Sequence, residues 1–485
     1  LKILFIAAEV APFAKVGGLA DVAESLPKAL VEYGHEVIVA MPAYPMILKN
    51  KEWALSEKLR NYSFHLNPET ELLATLHTLE EERVTFWFVE CKNFFAGSKT
   101  SETLYTAPPE AYLAFSRALL EACRQLNWIP HVLHCNDWHT GFIPVLIKED
   151  REHGFEKAAS VFTIHNLAYQ GEFGLEILDL VGLPRSLYTV EKVEAYGRVN
   201  FLKAGCSYAN QINTVSPTYA KEIQTPEFGC RLEGLMRYLD ENGRLRGILN
   251  GINVQKFNPK IDPSLCRNFS PDDLLCKRAC KEYIQQTLRL PNHQGVPLLS
   301  MITRIDAQKG FDLLLQSIES LLELPIQLVI LGTGRVEYID KIKSSAKSRP
   351  NQVRFTERFD ESLAHQIYAG TDMFLMPSLF EPCGLGQMIA MRYGALPIVR
   401  KTGGLADTVH DLTNGFIFEY QHPCELLNTI YRALTVYQKH PSWWQEMIHT
   451  AMSMDFSWAT SAPLYIQMYE DALVETYPSE PVASP

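Results

Sequence analysis

The chain has 485 residues, 47% of them hydrophobic and 21% charged, the composition of a globular protein with roughly two to three domains. Its net charge of −11 argues against nucleic acid or an anionic membrane surface as the main partner. No apolar run reaches the ~18 residues of a membrane span. The ten cysteines include no Cys-x-x-Cys pair and read as reduced thiols of a cytoplasmic or plastid-like compartment.

Lys2–Ala8 is a continuous apolar run suited to a parallel strand. It is too short for a signal peptide and enters a glycine loop. The loop ends Lys15-Val-Gly-Gly-Leu-Ala-Asp21, and helical periodicity follows over Val22–Tyr33. With a second strand over Glu36–Met41 this is a βαβ opening. Gly17 and Gly18 allow close approach of backbone to an anion, and Lys15 adds positive charge. The spacing is neither the dinucleotide fingerprint nor a P-loop. Leu72–Leu79 and Arg83–Glu90 alternate as a hairpin around Glu80-Glu81-Glu82, Asn93–Pro109 reads as a long polar loop, and Glu110–Leu126 as a helix. Two strands then end in polar and aromatic clusters, Asn136-Asp137-Trp138-His139 and His165-Asn166-Leu167-Ala168-Tyr169. Asn250-Gly251, with Pro259 and Pro263 downstream, reads as a domain junction.

A second βαβ series starts after residue 295. Its loops are Arg304-Ile-Asp-Ala-Gln-Lys309-Gly310, Glu381-Pro-Cys-Gly-Leu385 and Lys401-Thr-Gly-Gly-Leu-Ala-Asp407. The last echoes Lys15–Asp21. Alternating strands and helices in both halves predict an α/β protein of two doubly wound sheets facing a cleft, with polar loops at strand carboxyl ends where such sheets bind ligands. Pro463–Glu475 is expected to pack back on the first domain. Cations beside glycine loops and helix starts suit a diphosphate. No Asp-x-Asp follows a strand, and His139 and His165 lack a third ligand at zinc spacing. No cofactor and no metal are therefore expected, and a sugar nucleotide fits better than a magnesium-bound triphosphate.

These stretches, in this order over almost the whole chain, resemble the bacterial glycogen synthase and plant starch synthase family. The resemblance implies a GT-B fold with Rossmann-like domains at 1–248 (plus 460–478) and 249–459, and a tail at 479–485. It implies retaining transfer of glucose from ADP-glucose to the 4-OH of an α-1,4-glucan. On it, Glu381, His165, Arg304 and Lys309 are catalytic, with Arg304 and Lys309 neutralising the leaving diphosphate. Lys15, Gly17, Gly18, Asp137, Asn166, Asn250, Cys383, Gly384, Leu385, Thr402, Gly403 and Gly404 bind the donor. Phe359 is placed for base stacking, and Trp138, Tyr169 and Tyr105 for acceptor contacts. Val16 stands where many members have Thr, and Gly386 where a polar residue is common. A sugar-nucleotide epimerase and an inactive glucan-binding protein stay open as alternatives. So do the nucleotide, glycogen against starch, plastid stroma or granule surface against cytoplasm, and the oligomeric state.

Overall fold

The computed structural model describes residues 1–149, 154–358 and 360–476. It divides into two compact units. The first comprises Leu1–Val215, Ala220–Gly251 and the chain from Trp458 on; the second comprises Ser216–Tyr219 and Ile252–Ser457.

The first unit is built on a nine-stranded sheet. Its strands are β1 (Lys2–Ile6), β2 (Glu36–Pro42), β3 (Ser56–Asn67), β4 (Thr70–Glu81), β5 (Val84–Cys91), β6 (Val132–Asn136) and β7 (Ala159–Ile164), and later β11 (Gln211–Thr214) and β12 (Leu245–Gly247). Between these, β8 (Glu172–Phe173), β9 (Glu194–Ala195) and β10 (Arg198–Asn200) form a small antiparallel sheet. The large sheet runs β12-β11-β7-β6-β1-β2-β5-β4-β3. Its parallel core reverses direction of growth between β1 and β6, and the loops leaving those two strands flank this switch point. The inner strands are buried along nearly their whole length, which explains their mostly apolar sequences.

Three sequence expectations change here. The hairpin is longer, with Glu81 paired to Val84 and its turn at Glu82 and Arg83, both at positive φ. A twelve-residue strand, β3, precedes it and pairs antiparallel with β4. Its mostly exposed, polar sequence carries no apolar run. The polar loop 93–109 is packed rather than free: Phe95 and Leu104 are buried, and Ser101–Thr106 forms a 3-10 turn.

The last helix, Trp458–Thr476, starts five residues before the expected Pro463 and packs on the first unit. Trp458, Ser461, Ala462, Tyr465, Met468, Tyr469 and Ala472 are its buried positions, one stripe at helical spacing. The Tyr469 hydroxyl pairs with His134 Nδ1 at 2.8 Å, and Arg246 donates to Asp471 at 2.9 Å. The tail expected at 479–485 lies outside the described residues.

The second unit holds a six-stranded, all-parallel sheet: β13 (Leu298–Ile302), β14 (Gln327–Leu331), β15 (Val353–Thr356), β16 (Met373–Met376), β17 (Leu396–Arg400) and β18 (Phe416–Phe418). Their order is β15-β14-β13-β16-β17-β18. This sheet too reverses between its first and fourth strands, β13 and β16. On one side, Ile284, Leu290, Leu298, Val329, Leu331, Leu363 and Ile367 form a core cluster between sheet and helices.

Candidate active site

Each unit gathers its candidate residues on loops at the carboxyl ends of its strands, around the switch point. In the first unit the loop after β1 carries Glu9 and Lys15. Glu9 is 3% exposed, and its carboxylate accepts the backbone N–H of Gly17 at 3.0 Å and that of Val16. Burial pushes its carboxyl upward, while those amides and the Tyr105 hydroxyl draw it back. The glycine loop is therefore shaped by an internal anion. Lys15 Nζ donates to Asp21 Oδ1 at 2.6 Å across that loop. Gly18 begins the helix Gly18–Glu32, whose N-cap Gly17 supplies no side-chain cap.

After β6, Asp137 adopts φ 55° and ψ 176°, a region that favours glycine and costs a side-chain-bearing residue about 1–3 kcal/mol. The strain is held by a surrounding mesh. Asp137 N donates to Thr163 O at 3.0 Å, Thr140 N donates to Asp137 O at 3.1 Å, and His165 N donates to Asp137 Oδ1 at 2.8 Å. Desolvation dominates the electrostatics. Despite its backbone donors from His165 and Asn166, and with Glu9 nearby, the Asp137 carboxyl is pushed up to about 7. His165 Nε2 donates to Asn136 Oδ1 at 2.9 Å; the Asn136 amide nitrogen is committed to Ile6 O, which fixes this orientation. Burial lowers His165 to about 3, so the ring is neutral and presents Nδ1 as an acceptor.

His139 is stacked between Trp138, 4.0 Å away, and Tyr105, 4.6 Å away. It is also held near 3 by burial, and neither ring nitrogen has a partner among the described residues. Tyr105 is thus a wall of this recess, and Tyr169 is 54% exposed. The Asn166 side chain accepts from Ala168 N at 3.0 Å and so shapes the turn. Asn250 is buried, and its Oδ1 has no partner among the described residues.

In the second unit the loop after β13 meets the loop after β16. Lys309 Nζ donates to both oxygens of Glu381, at 2.9 and 2.7 Å, and Ser378 Oγ donates to Glu381 Oε2 at 3.0 Å. Glu381 is 5% exposed. Lys309 is thus engaged by Glu381, while Arg304 is exposed and lies 4.0 Å from Asp306. A third loop closes on these two. Gly404 N donates to Glu381 O at 3.1 Å, and a Cβ on Gly403 would come within 1.9 Å of Glu381 O, so only glycine allows this approach. Thr402 precedes them, fully buried. Cys383 is buried, while Gly384 and Leu385 keep some accessible surface. Phe359 lies outside the described residues.

Two residues of this geometry escaped the sequence. No local pattern marks Glu9, because its partners are seven and eight residues further on. The other is Gln387, whose side chain faces the loop before its helix.

Comparison with known proteins gives the family. Residues 2–238 match the model of the starch synthase catalytic domain, and residues 288–446 that of glycosyl transferases group 1. The glycogen synthase of Desulforudis audaxviator is 43% identical over 98% of this chain and 97% of its own length. The chain belongs to the glycogen and starch synthase family. The catalytic domain of starch synthase IV from Arabidopsis thaliana, solved with ADP and acarbose, superposes with a TM-score of 0.90 at 34% identity, covering 98% of this chain and 99% of that one. The sucrose-phosphate synthase of Thermosynechococcus elongatus, 17% identical with a TM-score of 0.62 and covering 98% of this chain and 99% of that one, shares the fold. The fold of this family member is GT-B: two Rossmann-like domains and a C-terminal helix that returns to the first.

Proposed function

We propose that this chain transfers glucose from ADP-glucose to the non-reducing 4-OH of an α-1,4-glucan, glycogen or starch, with retention at the anomeric carbon. The observation that carries the reading is the Lys309–Glu381 pair at the switch point of the second sheet, in a chain similar over its whole length to glycogen synthases. The starch synthase relative was solved with ADP and acarbose, which supports ADP as the nucleotide and a glucan as acceptor.

Arg304 and Lys309 serve the diphosphate. As the glycosidic C–O bond breaks, negative charge grows on the departing phosphate, and prepositioned cations stabilise it. Thr402, Gly403 and Gly404 line its approach, and Lys15, Gly17 and Gly18 of the first unit are assigned to donor binding by the family resemblance. Glu381 orients the glucosyl group. Both its oxygens are engaged, by Lys309 and Ser378, which suits a fixed orienting carboxylate better than a free nucleophile. That favours a front-face route in which the leaving phosphate takes the proton of the acceptor hydroxyl. Asp137, His165 and Asn166 take the glucosyl hydroxyls, Asn250 contributes to the donor site, and Trp138, Tyr105 and Tyr169 offer aromatic faces to the glucan. No metal enters this scheme. Among the described residues no helix is long and apolar enough to cross a membrane, consistent with work in the cytoplasm or plastid stroma, or at a polyglucan surface.

The test is release of ADP from ADP-glucose with and without glycogen, repeated with UDP-glucose. Acceptor-dependent release from ADP-glucose is expected. Release independent of acceptor, or no release at all, contradicts the reading, and preference for UDP-glucose contradicts its nucleotide.

A further inference from the structure

The helix that follows the Glu381 loop, Gly386–Arg392, turns the side chain of its second residue back against its own N-terminus. Gln387 is fully buried. Its Nε2 reaches Cys383 O at 3.1 Å, Gly384 O at 2.9 Å and Thr408 Oγ1 at 3.1 Å. The Thr408 hydroxyl is itself the donor to Gly404 O, at 2.7 Å, so toward Gln387 it can only accept. One primary amide thus touches both glycine loops, 383–384 directly and 404 through Thr408. Gly404 N closes the circuit on Glu381 O.

This has a stereochemical consequence. In a trans peptide the carbonyl of one residue and the N–H of the next point in opposite directions. With the Cys383 and Gly384 carbonyls drawn toward Gln387, the N–H groups of Gly384 and Leu385 are turned away from it. Neither has an acceptor among the described residues, and both residues keep accessible surface. Gly384 holds φ +74°, and a Cβ there would come within 2.5 Å of Gln387 Oε1 and 3.0 Å of Glu381 Cγ, so the loop conformation, the amide and the carboxylate are mutually fitted.

We propose that Gln387 is the positioning residue of the donor loop: it holds the Cys383 and Gly384 carbonyls inward, so that the Gly384 and Leu385 amides are presented as a pair of donors to oxygen atoms of the sugar nucleotide. Thr408 is its relay to the neighbouring Thr402–Gly404 loop. This rests on the donor role proposed above for residues 381–385. Gln387 itself need not touch substrate.

Gln387→Met keeps an unbranched helix-forming side chain of similar length and deletes every one of these hydrogen bonds. At ~1 kcal/mol for each of the three bonds lost, kcat/KM for ADP-glucose should fall about 150-fold. The KM for glycogen should stay within about twofold, because no acceptor contact is removed. Affinity for ADP-glucose, read by calorimetry without acceptor, should weaken in the same variant. Thr408→Val removes one link and should give the same split at about fivefold. In the double variant Thr408→Val should add little, since its link runs through Gln387.

A folded Gln387→Met enzyme with both substrate parameters unchanged would overturn the proposal. So would equal loss toward both substrates, which marks a structural role. If Gln387→Met does not fold, an unchanged donor KM in Thr408→Val overturns it. Wild-type turnover is measured alongside: if the wild type released no ADP, the donor reading itself would fall and take this inference with it, whereas a normal wild type with a silent Gln387→Met removes this inference alone.

Discussion

The two candidate loop clusters each lie at the switch point of a parallel sheet core, yet they control charge by different means. In the first unit burial governs. Asp137 is pushed up to about 7, Glu9 is raised, and His134, His139 and His165 are each held near 3. This recess works with neutral imidazoles and hydrogen-bonded carboxyls, and it keeps Asp137 in a strained conformation. In the second unit pairing governs. Lys309 and Ser378 occupy both oxygens of Glu381, and glycine backbones of the neighbouring loop pack directly on it. The difference fits a division of labour. Sugar hydroxyls are read best by neutral, oriented donors and acceptors, whereas a departing diphosphate calls for fixed positive charge.

The sharpest way to break this contrast is to open the ion pair. Lys309→Ala should lower kcat by about 10³-fold and leave glycogen affinity nearly unchanged, as measured by initial rates and by glycogen co-sedimentation. It should also lower the melting temperature, because a buried carboxylate left alone costs ~3–5 kcal/mol. Equal loss of glycogen binding would place Lys309 on the acceptor side instead.

Asp137 probes the strained recess. Glycine tolerates its backbone angles, so Asp137→Gly should retain stability or gain ~1 kcal/mol while losing about 10²-fold in kcat/KM. Chemical denaturation and kinetics on one preparation check both halves. A variant that was both inactive and strongly destabilised would show that the mesh around Asp137, not its carboxylate, is what matters.

The neutral histidines predict acid sensitivity. A His with a depressed folded pKa contributes stability that is present above its unfolded value near 6.5 and lost as pH falls toward 3. Asp137 acts oppositely: its raised folded pKa contributes stability that is present below its ordinary value and lost as pH rises through about 7. Between pH 6.5 and 4 the three histidines outweigh it, so stability should fall on acidification. His139 has no nitrogen partner to lose among the described residues, so His139→Phe should flatten that slope by ~1.4 kcal/mol per pH unit. Denaturant titrations at several pH values measure it. The smallest effect is expected from metal removal: rates with and without a chelator should agree within error, and a loss restored by a divalent cation would add a metal to the second half-site.

The sequence was most readable where chemistry and chain order coincide. The strands of the second sheet are short apolar runs flanked by glycine loops, and their topology follows from right-handed crossovers. Glycine pairs mark both the Lys15–Asp21 and the Lys401–Asp407 loops. Strand β3 was invisible because its Ser-Glu-Lys-Leu-Arg-Asn half is largely exposed and its register with β4 is broken by shifts. The 93–109 segment looked free because its anchors, Phe95 and Leu104, are isolated among polar residues; Phe95 packs on Tyr44 and Tyr112, far away in sequence. Lys309 and Glu381 were both named, but their partnership spans 72 residues and depends on which strands neighbour at the switch point. Glu9 and Gln387 serve the backbone rather than a ligand, and no residue pattern advertises that role.

On the proposed function Glu381 acts as a carboxylate held in place, not as a nucleophile. The direct measurement is intact-protein and peptide mass spectrometry of the enzyme quenched during turnover with a slowly reacting fluorinated analogue of ADP-glucose. The account predicts unmodified Glu381 while ADP and elongated glucan accumulate. A glucosyl group covalently attached to Glu381, formed and discharged at a rate that matches turnover, would contradict it.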